Sequence, residues 1–246
     1  MKELATSYGR VFIGTKEDGF RTAVFLAAAQ RGKNTGRPYF TWALTGGTTP
    51  AEWYRWCVAQ QALPPPLLAG TQWFTSDERH VPLDSPDSNF GNAARQLLAP
   101  LAVPAAKMHP WPVALPAPDA ANEFARQSAA WFQPGKAFDL CFLGLGPEGH
   151  TASFFPGSPL LESDGGAFFA AVNVPGKGWR LTITPTGLRA CGLIVVIVSG
   201  AAKAEAMHRV LAGPYDPETV PAQILKSCSS QVVWLLDEAA AAGFLA

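Results

Sequence analysis

The sequence is poor in cysteine, and its few cysteines are scattered. Four occur in 246 residues, at positions 57, 141, 191 and 228, and no two of them form a Cys-x-x-Cys pair. Structural zinc sites and the disulfide frameworks of small secreted domains need closely spaced cysteines. We therefore expect buried free thiols in a reducing compartment, with neither disulfides nor a thiolate metal centre.

Histidine is equally sparse, with four residues in the whole chain. None stands at the His-x-x-x-His or His-Glu-x-x-His spacing that binds catalytic zinc. The Gly-x-Ser-x-Gly turn of serine hydrolases is also absent. The sequence therefore argues against a nucleophilic serine, and it predicts no metal ligand.

The chain has neither an excess of one charge nor a long apolar run. Lys plus Arg and Asp plus Glu number 19 each, whereas a nucleic-acid-binding protein usually carries a basic excess. The longest uncharged apolar stretch, residues 190–202, is shorter than the roughly 20 residues that span a bilayer. The first residues show no apolar signal core. We expect a cytoplasmic protein that acts without a nucleic acid or a membrane.

Strand-like and helix-like segments alternate along the chain. The sequence predicts strands at residues 10–15, 39–44, 71–75, 138–143, 168–174, 180–184, 193–198 and 232–236. It predicts helices at residues 17–31, 50–60, 88–98, 119–132 and 201–211. The Pro- and Ala-rich residues 100–118 are expected to be mostly loop, with a short extended piece at 107–113. The alternation predicts an α/β fold with one doubly wound, mostly parallel open sheet of the Rossmann-like kind. Because no repeat or linker divides the chain, we expect a single domain over residues 1–246.

Four polar or Gly-rich motifs directly follow predicted strands. In a doubly wound sheet the ligand site lies beyond the carboxyl ends of the strands, so the motifs should converge. The first is TGGTTP at residues 45–50. Its glycines expose backbone N–H groups, its threonines add hydroxyl donors, and the helix N-terminus favours an anion. It is neither a Walker A loop nor Gly-x-Gly-x-x-Gly, and an ordinary strand-to-helix turn is the alternative.

The second motif is SDERHVP at residues 76–82. Arg79 has the planar donor fork that grips a phosphate or a carboxylate. The alternative is a solvated loop with local ion pairs, which composition alone favours. We expect His80 to be a surface histidine rather than a catalyst.

The third motif is GLGPEGHTAS at residues 144–153. The ordinary pKa of an imidazole suits His150 to general-base work near neutral pH, and the flanking N–H groups could stabilise an oxyanion. A structural histidine that caps the loop is the alternative.

The fourth motif joins PGKGWRLT at residues 175–182 to GAAKA at residues 200–204. Lys203 falls in the first turn of a predicted helix, where a cation is unfavourable unless an anion is near. Lys203 is therefore a candidate phosphate ligand, and the alternative is a lysine whose ammonium reaches solvent.

In this order the motifs resemble those of the glucosamine-6-phosphate isomerase/6-phosphogluconolactonase family. The matching stretches are LTGGTTP, DER with VP and SN, GLG with GHTAS, RLT, and Gly200 with Lys203 and Ala204. The resemblance covers about residues 10–236. It implies a fold shared with glucosamine-6-phosphate deaminases and no metal or organic cofactor. It also implies hydrolysis of 6-phospho-D-glucono-1,5-lactone to 6-phosphogluconate in the oxidative pentose phosphate pathway.

The motifs and the resemblance together predict the site. We expect His150 to be the general base that activates water, with Asp77 and Glu148 as further catalytic groups. Glu148 stands where the family often has Asp, so its longer side chain must adjust if it orients His150. The residues expected to bind the phosphorylated sugar lactone are Gly46, Gly47, Thr48, Thr49, Arg79, Asn89, Arg180 and Lys203. We expect a monomer or a weak homodimer.

Two other functions compete with lactone hydrolysis. A glucosamine-6-phosphate deaminase-like isomerase would favour Asp-Glu-Tyr where this chain has Asp77, Glu78 and Arg79. A non-catalytic sugar-phosphate sensor would usually carry a DNA-binding segment, and the sequence shows none.

Overall fold

The computed structural model describes residues 1–33 and 36–245. Within them, the strands are β1 (Lys2–Thr6), β2 (Gly9–Gly14), β3 (Phe40–Leu44), β4 (Thr71–Thr75), β5 (Asp77–Arg79), β6 (Leu140–Leu143), β7 (Phe169–Val174), β8 (Gly178–Ile183), β9 (Leu193–Val198) and β10 (Val232–Asp237). The helices are α1 (Lys16–Lys33), α2 (Thr48–Ala59), α3 (Pro65–Gly70), α4 (Asn89–Ala93), α5 (Ala117–Ser128), α6 (Pro185–Arg189), α7 (Ala204–Leu211) and α8 (Glu238–Leu245). None of these helices is long and apolar enough to cross a membrane.

Seven strands form the main sheet, in the order β1-β2-β10-β9-β6-β3-β4. Every neighbouring pair is parallel except β1 and β2, which form an antiparallel hairpin at one edge. The central strands are buried on both faces, so β9 has an unbroken apolar sequence with no polar alternation. The expected α/β fold with a mostly parallel sheet is thus confirmed.

Helices cover both faces of the main sheet and divide the core into two layers. Along β9, Val195 and Ile197 pack into the layer that holds α1 and α2. Ile194 and Val196 point to the opposite layer, which holds α5, α7 and α8. The first layer is centred on Trp42, whose ring stacks on Trp73 and meets Trp53 and Phe142 edge-on or tilted. The doubly wound arrangement follows from this alternation, because successive side chains of a strand face opposite sides.

A second sheet departs from the expected single sheet. Strands β5, β8 and β7 form a separate antiparallel sheet, so two segments expected in the main sheet belong to this smaller one. Strand β5 escaped prediction because it has three residues, all charged. It exists only because β8, far along the chain, pairs with it.

Smaller departures follow from proline and from local pairing. Helix α5 begins at Ala117 rather than at Asp119, with Pro116 at its N-cap and Pro118 in its first turn. The helix expected over residues 88–98 is α4 continued by one π-helical turn, Ala94–Leu98. No strand forms at residues 107–113, where Met108 makes a single bridge to Trp73.

The carboxyl ends of β3, β4, β6 and β9 lie at the same edge of the main sheet, because these strands are parallel. At the opposite, amino ends of these strands, Asp139, Arg37 and Thr41 form a cluster of polar contacts, called the polar clamp below. There Asp139 accepts hydrogen bonds from Arg37 Nη1 at 2.8 Å and from the Thr41 backbone N–H at 2.8 Å. The two edges therefore carry different groups: the clamp at the amino ends of the strands, and the sequence motifs at the carboxyl ends.

Candidate active site

A cavity of about 420 Å³ opens at the carboxyl edge of the main sheet, and all four sequence motifs reach it. The predicted site residues that line it are Gly46, Gly47, Thr48, Thr49, Asp77, Arg79, Asn89, His150, Arg180 and Lys203. Glu148 is not part of the wall but contacts His150 from behind. A volume of this size suits a small organic ligand.

The first motif forms the loop at residues 45–47 between β3 and α2 and continues into the first turn of the helix. Gly47 has a φ of 110°, which side chains other than glycine rarely adopt, and it directly precedes the helix. Buried Tyr54 holds the start of the loop: its hydroxyl donates to Thr45 O at 2.6 Å and accepts from Thr45 N at 3.2 Å. A hydroxyl contact of 3.0 Å between Thr49 and Ser199 joins the loop to the end of β9. The loop is thus fixed from two sides, with the α2 N-terminus behind it.

Asp77 is a buried carboxylate on the cavity wall. It accepts hydrogen bonds from Ser153 Oγ at 2.9 Å and from Asn89 Nδ2 at 3.3 Å. Burial raises the pKa of Asp77, and the hydrogen bond from Ser153 and the charge of Arg79 offset part of that rise. The Asn89 side chain also packs against Gly46, where an added Cβ would lie 1.9 Å from Asn89 Oδ1. Asn89 therefore joins the second motif to the first, and the absence of a side chain at Gly46 leaves the space that Asn89 occupies.

Glu78, next to Asp77, is fully buried and holds the second motif together. Its carboxylate accepts hydrogen bonds from the backbone N–H groups of Arg79, Asn89 and Phe90 and from the Ser88 hydroxyl. Burial raises the pKa of Glu78 to about 7, although each of these four donors acts in the opposite direction. Glu78 thus links β5 to the first turn of α4, and so places Asn89 beside Asp77.

Arg79 and Arg180 face each other across the β5–β8 pair. In the described part of the chain, no carboxylate lies within 4.0 Å of either guanidinium. Burial, and then the charge of Arg79, lower the pKa of Arg180. Directly opposed like charges destabilise a strand pair, so this arrangement favours an anion between or beside them.

Lys203 enters the cavity from the turn after β9. Gly200, at a φ of 95°, starts this turn, and its N–H donates to both carboxylate oxygens of Asp237 at 2.9 and 3.0 Å. Lys203 closes a 3₁₀ turn, Ala201–Lys203, and is the N-cap residue of α7. Burial lowers the pKa of Lys203 while Glu148 opposes that change. The position near a helix start matches the sequence prediction.

His150 contributes an imidazole ring to the cavity wall. Its Nδ1 lies 3.1 Å from Glu148 Oε2, but neither of these buried atoms has a hydrogen-bond partner within residues 1–33 and 36–245. The ring instead rests against Gly146, where an added Cβ would lie 1.9 Å from Nδ1, and it stacks on Phe155. Burial lowers the pKa of His150, and the Glu148 carboxylate offsets part of this change. The imidazole is therefore predominantly neutral at pH 7 and able to accept a proton.

Sequence reasoning overlooked several residues that shape the cavity. Phe155 and Lys177 line the cavity, Ser153 donates a hydrogen bond to Asp77, and Tyr54 holds the start of the first motif at Thr45. The sequence signal was position: Ser153 is the last residue of the third motif, and Phe155 follows the motif by two residues. His80 lies outside the cavity wall, with its Nε2 at 2.7 Å from Leu115 O. In the part of the chain described, no three His, Cys, Asp or Glu side chains gather as a metal site would require.

Known sequences resemble the chain over most of its length. The family model described as "Glucosamine-6-phosphate isomerases/6-phosphogluconolactonase" matches residues 20–234. The 6-phosphogluconolactonase of Synechocystis sp. is 36% identical over 224 residues, which cover 89% of this chain and 88% of that protein. The 6-phosphogluconolactonase of Bos taurus is 32% identical over 207 residues, which cover 82% of this chain and 80% of that protein.

Solved structures share the fold described above. The 6-phosphogluconolactonase from Trypanosoma brucei superposes with a TM-score of 0.78 at 27% identity, covering 98% of this chain and 99% of that one. The enzyme of the same name from Trypanosoma cruzi gives a TM-score of 0.80 at 24% identity, covering 96% and 97% of the two chains. At that lower identity the second likeness supports the fold alone.

Proposed function

Because the chain belongs to the glucosamine-6-phosphate isomerase/6-phosphogluconolactonase family, we propose that it hydrolyses 6-phospho-D-glucono-1,5-lactone to 6-phosphogluconate, with His150 as the general base. The observation that carries the proposal is one cavity that holds a neutral imidazole together with cations that form no ion pair within the described residues. Such a cavity can bind an anionic substrate and activate water beside it.

The phosphate of the substrate binds where donors and cations converge. The loop at residues 46–49 offers backbone N–H groups and hydroxyls at the α2 N-terminus. Lys203 supplies a cation from the neighbouring turn, and one or both of Arg79 and Arg180 supply another from the second sheet. Asn89 and Asp77, which are hydrogen-bonded to each other, are placed to contact sugar hydroxyls.

The reaction is general-base hydrolysis of an ester. Nε2 of His150 accepts a proton from water, because Nδ1 is buried beside Glu148, and the resulting hydroxide attacks the lactone carbonyl carbon. Backbone N–H groups of the third motif or a nearby cation stabilise the tetrahedral oxyanion. Collapse of the intermediate breaks the bond to the ring oxygen, which takes the proton back from His150. The product is the open-chain carboxylic acid, which releases its proton to solvent and becomes the carboxylate. Glu148 keeps the imidazolium form favourable during the transfer, since its charge lies 3.1 Å from the ring.

His150→Asn tests the general base directly. We expect kcat to fall by about 10²–10⁴, since that is the usual contribution of a positioned base. The measurement is a coupled assay with freshly generated 6-phosphogluconolactone, with spontaneous opening subtracted. His80→Asn is the matched control, because His80 lies outside the cavity wall, and its kcat should be that of the wild type. A near-normal kcat for His150→Asn would refute the assignment.

The same assay separates the competing functions. Lys203→Ala should mainly raise KM, because it removes a phosphate ligand and leaves the base in place; an unchanged KM would contradict the phosphate assignment. Release of ammonia from glucosamine 6-phosphate would favour a deaminase, and tight binding without turnover would favour a sensor. A cytoplasmic location and a monomeric or weakly dimeric state remain predictions.

A further inference from the structure

At His150, the hydrogen bond that usually fixes such a ring has poor geometry. Its Nδ1 is buried and has no hydrogen-bond partner among the described residues, although Glu148 Oε2 is only 3.1 Å away. Catalytic and metal-binding histidines commonly hold their tautomer and orientation through a bond at the second nitrogen. A further contact that can set the plane of this ring lies against its face.

That contact is an aromatic stack. The ring centroids of His150 and Phe155 are 4.2 Å apart, and the two planes differ by 25°. A tight turn brings Phe155 back over the histidine: Phe154 N donates to Thr151 O at 3.0 Å, and Ala152 takes a φ of 45°. A non-glycine residue in that region is under strain, which the surrounding structure must hold. The strain lies in the short segment that carries both stacked rings.

Lys177 completes the arrangement from the second sheet. Its Nζ lies over the Phe155 ring, 5.2 Å from the centroid, and both side chains line the cavity. A cation over an aromatic face is attracted by the ring quadrupole. The turn between β7 and β8 therefore fixes the position of Phe155, and Phe155 in turn covers one face of the imidazole.

We propose that Phe155 is a positioning residue for His150: its ring, held under Lys177, sets the plane of the imidazole and covers it from water. This inference rests on the proposed function, because it gives the stack a role in base catalysis. The charged groups that act on His150 are Glu148, Asp77 and Lys203, and a Phe155 variant leaves all three side chains unchanged. Arg79, Arg180 and Lys177 line the same cavity, and Lys177 loses its contact with the aromatic ring in such a variant.

Loss of the stack should shift the pKa of His150 in a defined direction. Burial is the largest cause of the lowered pKa of His150, so uncovering the ring should move that pKa upward, toward the 6.5 of a free imidazole. The acidic limb of kcat/KM should then move to higher pH. The ring would also rotate away from the attacking geometry, and a small misplacement of a catalytic group costs about 10- to 100-fold in rate. KM should change little, because the phosphate ligands are untouched.

The experiment compares Phe155→Ala, Phe155→Leu and Phe155→Tyr with the wild type. For each protein, the His150 imidazole is titrated by NMR, with its resonance assigned through His150→Asn, and kcat and KM are measured from pH 5 to 9. We expect Phe155→Ala to show a raised His150 pKa and a reduced kcat. Phe155→Tyr, which keeps the flat ring, should restore both, and Phe155→Leu, which keeps apolar cover only, should restore the pKa more than kcat.

Trp179→Ala is the matched control. It removes a half-exposed aromatic ring next to Arg180 that is not part of the cavity wall, and it should leave both measurements unchanged. An unchanged His150 titration in folded Phe155→Ala and Phe155→Leu would overturn the inference and leave the proposed function standing. A raised KM with normal kcat would also overturn it, because Phe155 would then be a substrate contact. If the pKa of His150 shifts but kcat does not change, the positioning role is refuted. A wrong assignment of the general base would instead show as a near-normal kcat for His150→Asn.

Discussion

At the scale of single residues, the second motif depends on one buried carboxyl group, that of Glu78, which does not line the cavity. Glu78 has no accessible surface and accepts hydrogen bonds from four donors. Three of them are backbone N–H groups, one in β5 (Arg79) and two at the start of α4 (Asn89 and Phe90). Glu78 does not touch the cavity, yet Asn89 and Asp77 are placed by the turn that it holds. Its contribution is therefore to stability first and to site geometry second.

Glu78 predicts a specific pH dependence of stability. Its folded-state pKa of about 7 lies above the unfolded value of 4.5, so the folded state binds the proton more tightly. The stability that this group contributes is full below pH 4.5 and is lost as pH rises through 7. Between pH 5 and pH 8 the wild type should lose on the order of 2–3 kcal/mol relative to Glu78→Gln.

Urea unfolding of both proteins at pH 5 and pH 8 measures this difference. Glu205→Gln is the control, because Glu205 is exposed on α7 and should give a difference that does not vary with pH. A pH-independent difference between the wild type and Glu78→Gln would show that Glu78 is not titrating in this range.

The sequence predicted the residues of the cavity better than the contacts between them. His150 and Lys203 were identifiable because their residue types suit the chemistry and each follows an apolar strand. Phe155 was not, since an aromatic residue between Phe154 and Pro156 is more often a core residue, and only the Ala152 turn brings it over His150. Stacking depends on the backbone path, which a motif does not specify.

At the scale of elements, the site depends on how a loop is attached to the helix that follows it. Tyr54 lies nearly two turns into α2, and its hydroxyl bonds back to Thr45, so the helix and the loop at residues 45–47 form one rigid unit. The hydroxyl satisfies a backbone donor and a backbone acceptor that are both buried. A buried backbone group left without a partner costs free energy comparable to a lost hydrogen bond.

Tyr54→Phe should therefore loosen the loop while leaving the core filled. We expect a loss of about 1–3 kcal/mol in unfolding free energy, because two buried backbone groups lose their partner. KM should rise, since the loop carries the phosphate donors, and kcat should change less. Tyr215→Phe is the control, as Tyr215 is 56% exposed. Equal stability and KM for Tyr54→Phe and wild type would show that the hydroxyl does not hold the loop.

Elements defined by local sequence were predictable, and those defined by distant pairing were not. Strand β9 has the predicted bounds because an uninterrupted apolar run specifies a buried strand, and β4 has them because four of its five residues are β-branched or aromatic. Strands β1 and β5 escaped prediction, since β1 is a largely exposed edge strand and β5 needs β8 as its partner. Nothing within three charged residues indicates a partner about a hundred positions away.

At the scale of the whole molecule, the polar clamp that stabilises the main sheet and the residues of the candidate site lie at opposite ends of the same strands. The clamp of Asp139, Arg37 and Thr41 ties β6 to β3 at their amino ends, through an ion pair with both side chains less than one-fifth exposed. The cavity lies at the opposite ends of the same strands. A change in the clamp should therefore alter folding without altering the site.

Asp139→Asn tests that separation. The amide keeps the shape but loses the charge that faces the Arg37 guanidinium, so the protein should lose about 2–3 kcal/mol of unfolding free energy. kcat/KM, measured well below the unfolding temperature, should equal that of the wild type. Asp119→Asn, exposed on α5, is the matched control and should change neither quantity. A clear fall in kcat/KM for Asp139→Asn would mean that the two edges are coupled.

The place of β10 in the main sheet governs the order in which the chain can fold. This strand inserts between β9 and β2, and Trp234 there pairs with Val11 and donates to Tyr8 O, 226 positions earlier in the chain. Until it arrives, the β1–β2 hairpin has no neighbour in the sheet. Such long-range pairings slow folding and leave strand edges exposed to aggregation. On the ribosome, the β1–β2 hairpin must wait until β10 has emerged before it can take its place in the sheet.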